Sequence, residues 1–370
     1  MIYIIGVLLI LQILVLSIFV YQSIMQRNSS KNKQFFTKVI LDKFDVIVAA
    51  KEDYDTINKC IKNVLSVGFE NIIICIDGGN NDVFYRLKLS YPSLTILYNE
   101  TSLGKIRSQN KCLSLSKKEN ILILDADIAL LKEEVTGFVS YFLESNVDFL
   151  CPYSIGLYEG NNQLLYSIAE TDRHMRQRVV RAGRDAYGVS NLSGYCMLAK
   201  RIKYIDIIDD DAIQDDVIAT INLLEKKYTV KTYHKAVCSE IERSTFKSYL
   251  MQKTRWTAGN IVLIKSYKKL FEYTSLIKAL AFTSSFLLWY WSLWIDFIAL
   301  LLCIYYPPLL ILLLIEGFIK YIGLVNACKP QKRTLDILMY IIIWPLISTI
   351  CLVLSPYYLT GKIVEQKTRR

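Results

Sequence analysis

The stretch NILILDADIAL, residues 120–130, places two aspartates directly after a run of apolar residues. The four residues from Ile121 to Leu124 are all apolar, which is typical of a strand buried on both faces. Asp125 and Asp127 follow with one residue between them. Two carboxylates this close repel each other unless a cation lies beside them. The stretch therefore predicts either a solvated loop after a strand or a site for a divalent cation and a ligand phosphate.

The chain before this stretch alternates buried strands with helical segments. Strands are predicted at residues 44–50, 71–77 and 94–99, and helical periodicity follows the first strand and recurs near 105–118. This alternation predicts an α/β fold with a parallel sheet and helices on both faces. Such sheets bind ligands outside the carboxyl ends of their strands. Acidic side chains stand at these ends: Glu52, Asp77, Asp125 and Asp127.

A second acidic group precedes a predicted helix that begins near residue 217. Asp215 and Asp216 stand directly before its apolar positions. A helix cap accounts for one of the two carboxylates. A carboxylate in a cleft opposite a metal-bound diphosphate also suits a general base. Asp77 has an alternative too, because Asp-Gly-Gly is ordinary turn chemistry.

The segment YLMQKTRWTAGN, residues 249–260, carries three candidate binding residues. Gln252, Arg255 and Trp256 are three and four residues apart, so a helix places them on one face. Arginine can neutralise a diphosphate, and an indole can lie against a sugar ring. The alternative is an amphipathic helix lying on a membrane, which residues 261–275 support.

Four apolar segments predict an integral membrane protein. Residues 1–22 contain no charged side chain and read as an uncleaved anchor, while residues 279–358 suggest three further spans. The basic residues after the anchor place the middle of the chain in the cytoplasm. Three further spans would leave the basic C-terminal tail outside. Either one segment is re-entrant, with Trp344-Pro345 as the break, or the tail is an exception.

Composition narrows the chemistry of any site. The chain has two histidines, so a metal would be held mainly by carboxylates, which favours Mg²⁺ or Mn²⁺. The nine cysteines form no C-x-x-C pair and indicate reduced, buried thiols. The net charge of +10 comes partly from basic residues that flank the apolar segments, so no nucleic acid partner is predicted.

Taken in order, these motifs resemble the membrane-embedded family-2 glycosyltransferases, which include cellulose, chitin and hyaluronan synthases and the ceramide glucosyltransferases. The resemblance covers residues ~44–260 and the plan of the membrane segments. It implies a cytoplasmic GT-A (Rossmann-like) domain at residues 40–260, an interfacial helix at 261–275 and spans at 279–358. It also implies a UDP-sugar donor, Mg²⁺ or Mn²⁺, and inversion at the anomeric carbon.

The resemblance assigns a role to each matching residue. Asp216 is the catalytic base, Asp77 contacts the nucleoside, and Asp125 and Asp127 serve the diphosphate and the metal. The other expected contacts to the nucleotide-sugar come from Glu52, Lys105, Arg107, Gln252, Arg255 and Trp256. The expected acceptor residues are Gly194, Tyr195, Cys196, Asp215 and Trp256.

The segment 170–201 resembles the acceptor wall of the hyaluronan and chitin synthases. Its arginines have an equally good alternative as a basic face at the membrane surface, and they are Arg173, Arg176, Arg178 and Arg181.

The acceptor stays open between a growing polysaccharide and a membrane lipid. Asp296, Glu316 and Lys320 are costly in lipid and would suit a channel for a polymer. Glu316 and Lys320 are also four residues apart, so they can neutralise each other. A non-catalytic scaffold or sensor on the same fold is the alternative of another class.

Overall fold

The computed structural model describes residues 2–30, 41–51, 53–79, 81–160, 162–209, 215–286, 292–328 and 334–368. The chain divides into two compact units. The sheet unit comprises Asn32–Leu157 and Ser190–Ile241, and the helical unit comprises Met1–Lys31, Tyr158–Val189 and Glu242–Arg370. The predicted domain at 40–260 therefore contributes segments to both units.

The helices of the described residues, in chain order, are α1 Ile2–Ser30, α2 Tyr54–Val67, α3 Asn81–Ser90, α4 Lys105–Leu115, α5 Lys132–Ser145, α6 Gln163–His174, α7 Ala182–Asp185, α8 Arg201–Ile207, α9 Asp215–Glu225, α10 Phe246–Tyr273, α11 Leu276–Phe286, α12 Ser292–Leu302, α13 Pro308–Cys328 and α14 Thr334–Thr368. A π-helical segment, Met175–Arg181, joins α6 to α7, and a 3₁₀ turn, Leu41–Lys43, precedes the first strand. Helices α2–α5, α8 and α9 belong to the sheet unit.

The strands are β1 Phe44–Ala50, β2 Ile72–Asp77, β3 Thr95–Asn99, β4 Asn120–Asp125, β5 Ile128–Leu130, β6 Phe149–Leu157, β7 Cys196–Lys200 and β8 Val230–Ile241. They form one sheet in the order β3-β2-β1-β4-β7-β6-β8-β5. Strands β1 to β4 are parallel, as predicted. The sheet as a whole is mixed, because β7 runs antiparallel to β4 and β6, and β5 antiparallel to β8.

The helix α2 shows how the sequence forms its elements. Asp53 caps its start by accepting a hydrogen bond from the Thr56 amide at 2.9 Å, and Gly68 ends it with φ 109°. Ile57, Ile61 and Val64 recur at helical spacing and are fully buried against the sheet. Each such side chain contributes roughly 1.5–3 kcal/mol on burial.

The helical unit contains three helices long and apolar enough to cross a membrane, counted over the described residues: Ile2–Gln26, Pro308–Cys328 and Thr334–Gly361. The first span expected after residue 279 falls on α11 and α12, of eleven residues each, and on residues 287–291, which lie outside the described set. The predicted break at Trp344-Pro345 was wrong, because α14 continues through Pro345 and Pro356.

The helical unit also tests the predicted interfacial helix and the charged residues of the apolar segments. The residues at 261–273 continue α10 instead of starting a separate helix. The three charged side chains that are costly in lipid contact one another. The Lys320 amine lies 2.5 Å from Glu316 and 3.3 Å from Asp296, and Gln12 donates to Asp296 at 2.8 Å. This pairing supports mutual neutralisation of these residues.

Gly78 and Gly79, which follow β2, make a matched pair for a stability test. Both have positive φ, 78° and 84°, so alanine is strained at either position. A Cβ at Gly78 would also lie 2.9 Å from the Ser102 amide nitrogen, whereas one at Gly79 meets nothing within 4 Å. We expect Gly78→Ala to lower the free energy of unfolding by about 1–3 kcal/mol more than Gly79→Ala. Thermal unfolding of the detergent-solubilised protein measures this, and equal shifts for the two variants would contradict it.

Candidate active site

The carboxylates that end β2 and β4 lie at one edge of the sheet. Both strands pair in parallel with β1, which aligns Ala49 with Cys75 on one side and with Asp125 on the other. Asp77 is the last residue of β2 and Asp125 the last residue of β4, so both lie at the carboxyl ends of strands that run in the same direction. The structure thus confirms that these two predicted residues share the carboxyl edge of the parallel strands.

Asp77 organises the loop that leads into α4. It is 5% exposed, and each of its oxygens accepts two hydrogen bonds. The donors are the Asn99 amide group at 3.0 Å, the Leu103 backbone at 2.7 Å, the Ser102 hydroxyl at 2.8 Å and the Gly104 backbone at 2.9 Å. Burial would raise the pKa of Asp77, but these donors outweigh it and hold the pKa below its usual value.

Lys105, the first residue of α4, joins three parts of the sheet unit. Its amine lies 2.6 Å from the Asp125 carboxylate and donates to the Gly194 carbonyl oxygen at 2.7 Å. A Cβ built on Gly194 would lie 3.7 Å from the Cβ of Asp216. Residues from four separate stretches of the sequence therefore lie close together, because Lys105 contacts Asp125 and Gly194, and Gly194 lies beside Asp216.

Thr220 holds the start of α9 against the segment that carries Gly194. Its buried hydroxyl donates to the Asp216 carbonyl oxygen at 2.6 Å and accepts from the Leu192 amide at 3.0 Å. Asp216 is half-buried at the start of α9. The two hydrogen bonds of Thr220 fix this end of the helix and thereby position the Asp216 carboxylate. Asp215 is helical, and the residues 210–214 before it lie outside the described set.

Asp127 lies exposed in the turn between β4 and β5. Among the described residues, no three His, Cys, Asp or Glu side chains cluster closely enough to hold a metal by themselves. Mg²⁺ in nucleotide sites is commonly held by one or two carboxylates together with phosphate oxygens. The oxygen donors of Asp125 and Asp127 therefore fit a cation that is shared with a ligand diphosphate.

The predicted acceptor residues have different environments. The Tyr195 hydroxyl donates to the Pro152 carbonyl oxygen at 3.0 Å, and its own carbonyl accepts from the Asp125 amide at 3.0 Å. Cys196 is fully buried in the core, where a hydrogen bond with Cys238 and burial raise its pKa. The Cys196 thiol is therefore closed to solvent, and its place near the acceptor stays a prediction.

Of the remaining nucleotide contacts expected in the sheet unit, Arg107 is exposed on the first turn of α4. Glu52 lies outside the described residues.

The three residues predicted on one helix all belong to α10 in the helical unit. Gln252 and Trp256 are half-buried and Arg255 is exposed. Lys253 was not among the residues predicted for the site; it is 5% exposed, and its amine lies 2.6 Å from Asp172 on α6. No spacing rule could have found this pair, because 81 residues separate its members.

The arginines between 173 and 181 do not form an exposed basic face. Arg173 is 3% exposed and is paired with Glu170 at 3.0 Å and with Glu242. Arg181 is 6% exposed, and Arg178 donates to the Ala327 carbonyl oxygen at 2.9 Å near the end of α13. The alternative of a basic surface at the membrane was therefore wrong for Arg173 and Arg181, whereas Arg176 and Arg178 are half-buried.

Comparison with known proteins places this geometry among sugar transferases. Residues 120–324 match the family model described as glycosyl transferase family group 2. A poly-beta-1,6-N-acetyl-D-glucosamine synthase of Staphylococcus aureus is 23% identical over 242 residues, which cover 61% of this chain and 57% of that protein. An N-acetylglucosaminyltransferase of Bradyrhizobium diazoefficiens is 22% identical over 248 residues, 62% of this chain and 51% of that protein. The chain thus spans little more than half the length of these curated relatives.

A solved structure confirms the fold. The mannosyltransferase of Pyrobaculum calidifontis, in complex with GDP-Man and Mn²⁺, superposes with a TM-score of 0.61 at 12% identity. The superposition covers 96% of this chain and 98% of the other. The similarity establishes a GT-A fold with associated helices, as the sequence predicted.

The hydrogen bonds of Asp77 predict a pH-dependent loss in the variant Asp77→Asn. An amide nitrogen cannot accept from two of the four donors, so we expect a lower melting temperature at pH 7. Because the folded-state pKa is lowered, the ionised carboxylate stabilises the fold fully above about pH 4, and its contribution fades as the pH falls further.

The melting-temperature difference between wild type and Asp77→Asn should accordingly stay constant from about pH 5 to 8 and narrow below about pH 4. Asp82→Asn, at an exposed carboxylate on α3 that lies 3.8 Å from Arg86, is the control and should melt like wild type. A difference that widens in acid would show that the Asp77 carboxylate is not stabilised by these donors.

Proposed function

This chain belongs to glycosyl transferase family group 2, and on that premise we propose that it transfers a sugar from a UDP-sugar to a growing saccharide at the cytoplasmic face of a membrane. The observation that carries the proposal is the meeting of Lys105, Asp125, Gly194 and Asp216 in the sheet unit. A lysine at the carboxyl edge of a parallel sheet suits the binding of an anionic sugar donor, and a nearby carboxylate suits a general base.

The proposed reaction is a single displacement with inversion at the anomeric carbon. The acceptor hydroxyl oxygen forms a bond to this carbon while the bond from the carbon to the UDP oxygen breaks. Asp216 takes the proton of the acceptor hydroxyl, and UDP leaves with the electron pair. Positioning and electrostatic stabilisation supply most of the rate enhancement in such a transfer.

The leaving diphosphate needs positive charge. Asp125 and Asp127 would hold Mg²⁺ or Mn²⁺, which stabilises the diphosphate when bound. Lys105 contributes an amine at the same carboxylate. From the family resemblance, we propose that Gln252, Arg255 and Trp256 bind the donor diphosphate and the acceptor end. Arg107 and Glu52 remain proposed nucleotide contacts.

The named relatives suggest the first donor to assay. Two of them are named for N-acetylglucosamine transfer or polymerisation, so we propose UDP-N-acetylglucosamine as donor and an oligosaccharide as acceptor. The basic residues after α1 support a cytoplasmic site. Chromatography of the radiolabelled product decides between a polymer, which supports the proposal, and a monoglycosyl lipid, which would replace the saccharide acceptor with a membrane lipid.

Removal of the proposed base should abolish transfer without loss of the fold. We expect Asp216→Asn to lower the rate of UDP release by at least about 10²-fold, as for other general bases. Asp206→Asn removes an exposed carboxylate on α8 that is paired with Lys226 at 2.6 Å, and it should retain wild-type activity. Undiminished UDP release by Asp216→Asn would overturn the assignment of the base.

The proposed metal contact predicts a shifted metal requirement. EDTA should abolish UDP release, and Mn²⁺ or Mg²⁺ should restore it. Asp127→Asn should need at least about tenfold more metal for half-maximal activity, because a carboxylate ligand is lost. Full activity of the EDTA-treated protein after removal of free metal would contradict the metal requirement.

A further inference from the structure

A buried carboxylate in the helical unit collects two cations. The Asp172 side chain on α6 is completely buried, and one of its oxygens accepts from Lys253 at 2.6 Å and from Arg176 at 2.9 Å. Tyr340 on α14 donates to the other oxygen at 3.4 Å. One buried carboxylate oxygen thus holds two cations together.

Both cations lie against the indole of Trp256. The Lys253 amine is 4.1 Å and the Arg176 guanidinium carbon 4.7 Å from the ring centroid. Because both bond the same carboxylate oxygen, they are held close to each other, which favours contact with one face of the indole. The negative face of the ring stabilises both cations, most strongly where water is excluded.

The environment of Lys253 agrees with this arrangement. Burial, together with the Arg176 charge, lowers the pKa of Lys253 to about 8, although Asp172 opposes the shift. Burial would raise the pKa of Asp172, but Lys253 and Arg176 outweigh it and hold that pKa below its usual value. The two cations therefore depend on the Asp172 charge to stay together beside the ring.

We propose that Asp172 is a positioning residue, which holds Lys253 and Arg176 against Trp256 and so fixes the indole for binding the acceptor sugar. The inference rests on the proposed function, which assigns Trp256 to the acceptor end. It adds Asp172, 84 positions before Trp256, to which the family resemblance assigned no role.

The substitution Asp172→Asn keeps the shape of the side chain and removes its charge. Lys253 and Arg176 then lose the carboxylate oxygen that they share, so they separate and the indole loses its support. We expect the KM for the acceptor to rise about tenfold, while kcat at saturating acceptor stays within about twofold.

A double-mutant cycle distinguishes positioning from a general structural role. In the background Trp256→Phe, Asp172→Asn should produce no further rise in the acceptor KM, because the indole that it positions is absent. Equal fold-changes in both backgrounds would overturn the proposal. Glu170→Gln, at a buried carboxylate on the same helix that is paired with Arg173, is the matched control and should leave the acceptor KM unchanged.

Two further measurements keep the proposal testable if Asp172→Asn does not fold. Arg176→Lys keeps the charge but loses the planar group beside the indole, and it should give a smaller rise in the acceptor KM that also vanishes in Trp256→Phe. An Arg176→Lys effect that persists in Trp256→Phe would overturn the proposal.

The fluorescence that is present in the wild type and absent in Trp256→Phe comes from the Trp256 indole. Its quenching by acrylamide measures how accessible this indole is, and the measurement needs no sugar transfer. Asp172→Asn, or Arg176→Lys in its place, should make this indole more accessible, and unchanged quenching would overturn the positioning role. If the wild-type protein transfers no sugar at all, the proposed function fails, whereas the quenching result still decides whether Asp172 positions Trp256.

Discussion

The Lys105 amine joins two segments of the sheet unit that are far apart in the sequence. It bonds to the Asp125 carboxylate and to the carbonyl of Gly194, and Gly194 lies beside Asp216. Its place depends on the loop before α4, which Asp77 holds with four hydrogen bonds. Asp77 thus sets the position of the Lys105 amine through the backbone of this loop. Asp77 and Asp125 in turn are brought to one edge of the sheet by the parallel pairing of β2 and β4 with β1.

The parallel half of the sheet could be predicted because each element carries its own local signal. Apolar runs mark β1, β2 and β4, and an Asp cap and spaced Ile and Val residues mark α2. The mixed half could not, because its pairings join distant segments: β6 pairs with β8, which begins more than 70 residues later, and its register shifts around Tyr153. No local pattern records whether such a partner runs parallel or antiparallel.

Half of the candidate site was visible in the sequence for the same reason. Asp125 and Asp216 stand next to elements with clear periodicity, whereas the side chains that position them do not. Thr220 has no sequence signal beyond its place in α9, and its role appears only in the hydrogen bonds to Asp216 and Leu192. The alternative of a membrane-facing Arg173 was wrong because arginine is rarely buried, and its burial here requires Glu242, a partner far away in the sequence.

The two units hold their charged side chains in different environments, and this difference bears on what each cluster can bind. In the sheet unit, Lys105 pairs with Asp125 while their side chains stay 34% and 29% exposed, so a bound ligand can share their charge. In the helical unit, Asp172 is completely buried, and the two cations that it binds also lie against the Trp256 ring. An aromatic ring adds to the stabilisation of these cations without a further buried charge, which is costly when unmatched. The indole thereby becomes part of the charge balance, and its orientation follows from electrostatics as well as from packing.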